Sequence, residues 1–199
     1  MHTTRTKTAL MTRATDVLIV ISMAIGRKPA ARLAADLADI QPGHHVIDIG
    51  CGPGTALRVA AHRGARATGV DPSPQMLRLG RLLSTGPARH RVKLLEGRAE
   101  QLPCDDASAD VIWALSSAHH WTDQAEGLEE VHRVLKPGGR LLILERVELP
   151  GEPPGHHAVP KAWADQFAED AERTGFVDGA AAVYGTGKER RVVIQATRP

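Results

Sequence analysis

The sequence predicts an α/β protein, a doubly wound and mostly parallel sheet with helices on both faces. Three observations predict it. Short apolar runs alternate with segments of helical period between residues 46 and 147, and such alternation builds parallel sheets. One run, VIDI, leads into three glycines at alternate positions and then a helical segment. That strand, turn and helix is where α/β folds bind nucleotide-like ligands. Two late strand-like runs flank a glycine-bearing stretch, a hairpin signal. Five strands and the hairpin make a Rossmann-like, seven-stranded sheet with a C-terminal antiparallel hairpin, preceded by N-terminal helices.

Taken in order, the N-terminal part carries Arg5, Lys7 and Arg13 ahead of an apolar run from Val17 to Ile25. This looks like an export signal, but no small-residue cleavage pattern closes it. The run is also well short of the ~18 apolar residues of a membrane span. A second helical pattern follows from Pro29 to Leu37. Residues 1–42 therefore read as a helical cap over a ligand cleft, and 43–199 as the main part of one compact domain.

Strands are expected near 46–50, 66–71, 91–95, 109–115 and 139–147, and helices near 54–63, 74–84 and 123–135. Gly151 to His157 reads as a loop and Trp163 to Arg173 as a helix that Gly175 ends. Ala180 to Tyr184 and Arg191 to Ala196 read as the hairpin strands, with Gly185 to Gly187 between them. Pro74 suits the first turn of its helix.

The order D-x-G-x-G-x-G at Asp48, Gly50, Gly52 and Gly54 separates ligand classes. A dinucleotide site has G-x-G-x-x-G and offers amides to a pyrophosphate. An acid two residues before the first glycine repels phosphate and suits a ligand with a cationic amine. Asp71 ends the second strand at about the 20-residue spacing where a carboxylate meets ribose hydroxyls. A helix N-cap is its plainer alternative role.

These segments, with LLEGRAEQLPCDD (Leu94 to Asp106), SADVIWAL (Ser108 to Leu115) and LEEVHRVLKPGGRLLILE (Leu128 to Glu145), resemble the class I S-adenosylmethionine-dependent methyltransferases. The resemblance is to the small-molecule, methyltransferase type 11-like subgroup and runs from about residue 43 to 147. It implies S-adenosylmethionine as cofactor, S-adenosylhomocysteine as product, and in-line methyl transfer to a small-molecule acceptor. By the same resemblance the cofactor site comprises Asp48, Gly50, Cys51, Gly52, Pro53 and Gly54 in the first loop. Asp71, Pro72, Ser73 and Met76 follow the second strand. Gly97, Ala99 and Glu100 follow the third, and Leu115 and Ser116 end the fourth. Met76 and Ala99 would lie near the adenine. Arg98 stands where many relatives carry an acid, and arginine has no acceptor for an adenine amine.

A base is needed only if the acceptor begins protonated. SSAHHWTD (Ser116 to Asp123) offers His119 and His120, whose side-chain type titrates near neutrality. Glu145, ending strand five, is the further catalytic candidate, or else a solvated acid beginning a loop. Trp121 and Trp163 wall an apolar pocket or belong to the core.

Other histidine pairs are His44-His45 and His156-His157. His119 and His120 could in principle combine with His156 and His157, but spacing does not demand it and no carboxylate-rich ligand set accompanies them. No metal is expected. Cys51 and Cys104 form no metal cluster or disulfide framework, and a reducing cytoplasm is the expected compartment.

With 25 basic and 23 acidic residues the charge is too even to suggest nucleic acid, and aromatics at 3% leave little stacking surface. Glu152-Pro153-Pro154-Gly155 lacks the aromatic of the amino-methylating DNA enzymes. Pro103-Cys104 precedes rather than follows strand four, against cytosine ring-carbon methylation. A small molecule remains, with O-, N- or C-methylation open. The N-terminal helices or a second subunit, as in a homodimer, would close the pocket. Two rivals share the fold. Asp48 and the glycine spacing speak against a dinucleotide-dependent oxidoreductase. A non-catalytic protein that binds S-adenosylmethionine or S-adenosylhomocysteine is the other.

Overall fold

The structure, a computed structural model, describes residues 28–148 and 157–199. The expected helix at Val17 to Ile25 and nearly all of the expected loop from Gly151 lie outside the described residues. Five helices are described: α1 (Lys28–Leu37), α2 (Thr55–His62), α3 (Pro74–Leu83), α4 (Gln124–Val134) and α5 (Lys161–Arg173). Eight strands are described: β1 (His45–Ile49), β2 (Arg66–Asp71), β3 (Val92–Glu96), β4 (Ala109–Leu115), β5 (Leu135–Glu148), β6 (Ala158–Pro160), β7 (Val177–Tyr184) and β8 (Arg191–Thr197).

The strands form one sheet in the order β3-β2-β1-β4-β5-β8-β7, with β6 paired to β5 off this path. β1 to β5 run parallel, and β8 pairs antiparallel with both β5 and β7. The main path thus has the expected seven strands and the reversed hairpin.

Two cores follow from strand alternation. Val111, Trp113, Leu142 and Leu144 face α1, α2 and α3, where the small buried face of α1 (Ala30, Ala31, Ala34, Ala35) allows close packing. Ile112, Ala114, Leu141 and Ile143 face α4 and α5, against Leu128, Val131, Phe167 and Ala171. Helices on both sheet faces make the fold doubly wound. α1 packs beside α2 and against β4 and β5, in the helical layer of the sheet, and none of its residues lines the cleft described below.

Two departures have local causes. β5 begins at Leu135, four residues before the expected start. Leu135 pairs with Ala109 but Arg140 with Val111, so Lys136 to Gly139 bulge out, with Gly138 at φ +78°. β6 is the added strand. It is three residues long, too short to carry a periodicity signal, and only its pairing with Arg146 to Glu148 reveals it.

Candidate active site

In the order 3-2-1-4-5 the sheet reverses direction of growth between β1 and β4, which opens a crevice at the strands' carboxyl ends. A cavity of about 360 Å³ lies there. Its wall is drawn from four strand ends in turn: Ile49, Gly50 and Gly52; Asp71, Pro72 and Met76; Gly97 to Glu100; and Ser116, Ser117 and His120 to Thr122.

The first loop owes its path to a close approach. Gly50 has φ +70°, and a Cβ there would stand 2.5 Å from the Ser117 Cβ. Ser117 is itself tied in, its Oγ donating to the Ile49 carbonyl at 2.6 Å. Asp71 Oδ2 accepts the Gly52 N–H at 2.7 Å and Oδ1 accepts the Ser73 N–H at 2.9 Å. The plainer role considered for Asp71 falls to Ser73, which caps α3 by accepting from Met76 N.

Of the residues expected to hold the cofactor, Gly50, Gly52, Asp71, Pro72, Met76, Gly97, Ala99, Glu100 and Ser116 line the cavity. Asp48, Cys51, Pro53, Gly54, Ser73 and Leu115 do not. Asp48 is buried and alternates with Ile47 and Ile49, so it lies on the α2 side of the sheet with Val46. Cys51 is buried, and its Sγ would stand 2.6 Å from a Cβ at Gly69. The Pro53 carbonyl accepts from Arg58 at 2.9 Å, and Gly54 starts α2. Glu100 reaches the wall while its Oε1 accepts the N–H groups of Thr122 and Asp123.

Among the three catalytic candidates only His120 lines the cavity. Glu145 is fully buried rather than solvated. Its Oε1 accepts the backbone N–H groups of Ser117 and Ala118 at 3.0 and 2.9 Å, and that of His119 at 3.4 Å. Its Oε2 lies 2.9 Å from His119 Nδ1. Glu145 therefore anchors the loop after β4 from beneath and orients the His119 ring. Trp121 lines the cavity and meets Phe167 edge-on, whereas Trp163 packs on the core through Phe167.

Sequence reasoning missed Ile49, Ser117 and Thr122 as lining residues, and treated Arg98 only as a departure. Their position just past a strand end was the available signal. Ser116 was expected at the site, but nothing local announced its backbone at φ +55°; strained non-glycine backbone of this kind gathers at functional sites.

The loop motifs lock together behind the cavity. Arg133 donates to Glu130 and Asp106 and to the carbonyls of Leu102 and Cys104, while Glu130 accepts the Leu102 N–H at 2.7 Å. The Arg133 hydrogen bond holds the Glu130 carboxyl below the usual range. Burial pushes the Cys104 thiol up, away from the thiolate that a nucleophile needs.

A doubly wound sheet with one reversed hairpin strand, and a cleft built from a glycine loop and a strand-two carboxylate, defines an α/β fold of the methyltransferase kind. Comparison with known proteins agrees. Residues 47–143 match the methyltransferase domain family. The chain is 38% identical over 109 residues to the ubiquinone/menaquinone biosynthesis C-methyltransferase of Rubrivivax gelatinosus, covering 55% of this chain and 42% of that protein. It is 37% identical over 111 residues to the 27-O-demethylrifamycin SV methyltransferase of Amycolatopsis mediterranei, covering 55% and 41%. The chain thus spans less than half the length of these two relatives. The crystal structure of an S-adenosylmethionine-dependent methyltransferase from Aquifex aeolicus superposes with a TM-score of 0.70 at 19% identity, covering 85% of this chain and 89% of that one. The chain is thus similar to the class I S-adenosylmethionine-dependent methyltransferases, with its match to the methyltransferase domain family running over residues 47–143.

No helix among the described residues is long and apolar enough to cross a membrane.

Proposed function

We propose that this protein moves the methyl group of S-adenosylmethionine to a small-molecule acceptor. The observation that carries the reading is Asp71, whose carboxylate is held at the cavity wall by the Gly52 amide while keeping lone pairs for two ribose hydroxyls. The cavity volume falls in the range of small-ligand sites. Both relatives described above are named for small molecules, which supports the acceptor class.

When bound, the cofactor supplies an electrophilic methyl, taken in line by the acceptor's lone pair as the carbon–sulfur pair returns to sulfur. The protein's own part is alignment and exclusion of water. Gly50 and Gly52 let the backbone approach the amino-acid portion, and Met76 and Ala99 flank the adenine. Trp121 walls the acceptor side. His120 stands at the wall to take a proton from an acceptor that begins protonated. Glu145 acts through His119 and the loop backbone as a positioning residue.

Calorimetry on the purified chain with S-adenosylmethionine, S-adenosylhomocysteine and NAD tests this. Saturable binding of both sulfur ligands and none of NAD is the expected result. Binding of neither overturns the proposal. Binding without turnover across a screen of phenolic, hydroquinone and amine acceptors favours the non-catalytic alternative.

A further inference from the structure

We propose that His119, His120 and His157 bind a divalent transition-metal ion at the edge of the cavity, with Glu145 orienting His119. One ring nitrogen from each histidine lies within 4.8 Å of the others. The ring centroids of His119 and His120 are 3.9 Å apart, and His157 lies 5.7 and 5.6 Å from them.

The fold makes this set, for spacing along the chain gave no reason to expect it. β6 pairs with β5 so that Ala158 stands opposite Arg146. One step back along both parallel strands, His157 comes level with Glu145, the residue that holds His119. His157 reaches this place at φ +59°, a conformation uncommon outside glycine.

The second, independent observation is the state of His119. Its Nδ1 donates to the fully buried Glu145 carboxylate, which three backbone N–H groups keep from rotating. With Nδ1 committed to the carboxylate, Nε2 is the ring nitrogen left for another partner. That atom is buried with no hydrogen-bond partner among the described residues. A buried polar atom without a partner calls for an explanation. A carboxylate behind one ring nitrogen with the other nitrogen left for an ion is the arrangement that orients metal-binding histidines.

Three imidazoles suit zinc, copper, nickel or iron(II) rather than calcium or magnesium. Tetrahedral bonds of 2.0–2.1 Å put ligand nitrogens roughly 3.3 Å apart, and turning the exposed His120 and His157 rings closes the present spacing. Three protein ligands leave one position open, as in catalytic rather than structural zinc sites. His120 also lines the cavity, so that position faces it. In the loaded protein His120 is a ligand, and the ion instead of the imidazole lowers the pKa of an acceptor hydroxyl. This last step rests on the methyl-transfer reading, whereas binding of the ion does not.

The metal-free chain of residues 1–199, titrated with zinc chloride by calorimetry and with cobalt(II) followed by its visible absorption, tests the site. One equivalent of each metal, with the intense cobalt spectrum of low coordination number, is expected. His157→Ala should weaken binding at least about ten-fold, and Glu145→Gln should fall within the ten- to hundred-fold loss usual for outer-shell partners. His62→Ala, on α2, should leave it unchanged. Exposed His157 is replaced without disturbing the core, so an unchanged titration in a folded His157→Ala variant overturns the proposal. Equal losses in the His62→Ala and His157→Ala variants, or no saturable one-equivalent binding, overturn it as well. S-adenosylmethionine binding is measured separately on the metal-free chain, so failure of the metal site leaves the methyl-transfer reading standing.

Discussion

The carboxylate of Asp71 at the end of β2 accepts the backbone N–H of Gly52 at 2.7 Å, which ties the second strand to the loop leaving the first. The acid that would recognise a ribose also holds the loop that would hold the rest of the cofactor. On the proposed function, cofactor affinity and loop geometry would share one side chain.

Replacing Asp71 with Ala should lower S-adenosylmethionine affinity more than ten-fold, since a hydrogen bond to a charged group contributes about 1.5–3 kcal/mol. Titration calorimetry reads the loss. A loss under about three-fold removes Asp71 from the ribose assignment, being well below that same range.

Gly50→Ala should destabilise the fold by about 2–4 kcal/mol, combining the left-handed backbone cost with overpacking against Ser117. The Cβ would lie 2.5 Å from the Ser117 Cβ. Urea denaturation of Gly50→Ala, Ser117→Gly and the double variant separates the two contributions. The double variant should recover the steric part alone; strict additivity would show that the two residues do not meet.

Glu145→Ala should destabilise by about 3–5 kcal/mol, the usual cost of removing one partner of a buried pair. It strands the N–H groups of Ser117 and Ala118. Glu145→Gln keeps an acceptor for them and should cost markedly less. Equal denaturation midpoints for both variants would show that the carboxylate does not anchor this loop.

Stability should fall as the solution is acidified below about pH 6.5, the ordinary histidine value. Burial pushes the His45 pKa down, against the opposing pull of the Ser108 carbonyl, which Nδ1 meets at 2.9 Å. Burial also lowers His132, with Arg198 adding to it. Between the lowered folded values and the unfolded one, the unfolded chain binds more protons, so stability rises with pH across that window and is lost on acidification. Denaturation midpoints across the window should slope less in His45→Gln. Parallel slopes would remove His45 from the effect.

The glycine-loop side of the cavity wall was largely legible in the sequence. A strand, a glycine turn and a helix place backbone in one order, so spacing alone put Gly50, Gly52 and Asp71 near one another, and all three line the cavity. Asp48 shows where that legibility stops, because strand alternation turned it beneath the sheet and away from the cavity wall. Glu145 read as a base or a solvated acid, since nothing local says that β8 pairs beside it and that the loop after β4 folds over it.

By itself the sequence determined the alternation of elements, the glycine loop and the strand-two acid, because those depend on local backbone geometry and short-range hydrophobic period. Only the tertiary structure decided which strand ends share a wall, that Glu145 is buried beneath the loop after β4, and that His157 stands beside His119 and His120. Those facts depend on sheet order and on the register between β5 and β6. Sheet order and register come from long-range packing that no short window of residues encodes.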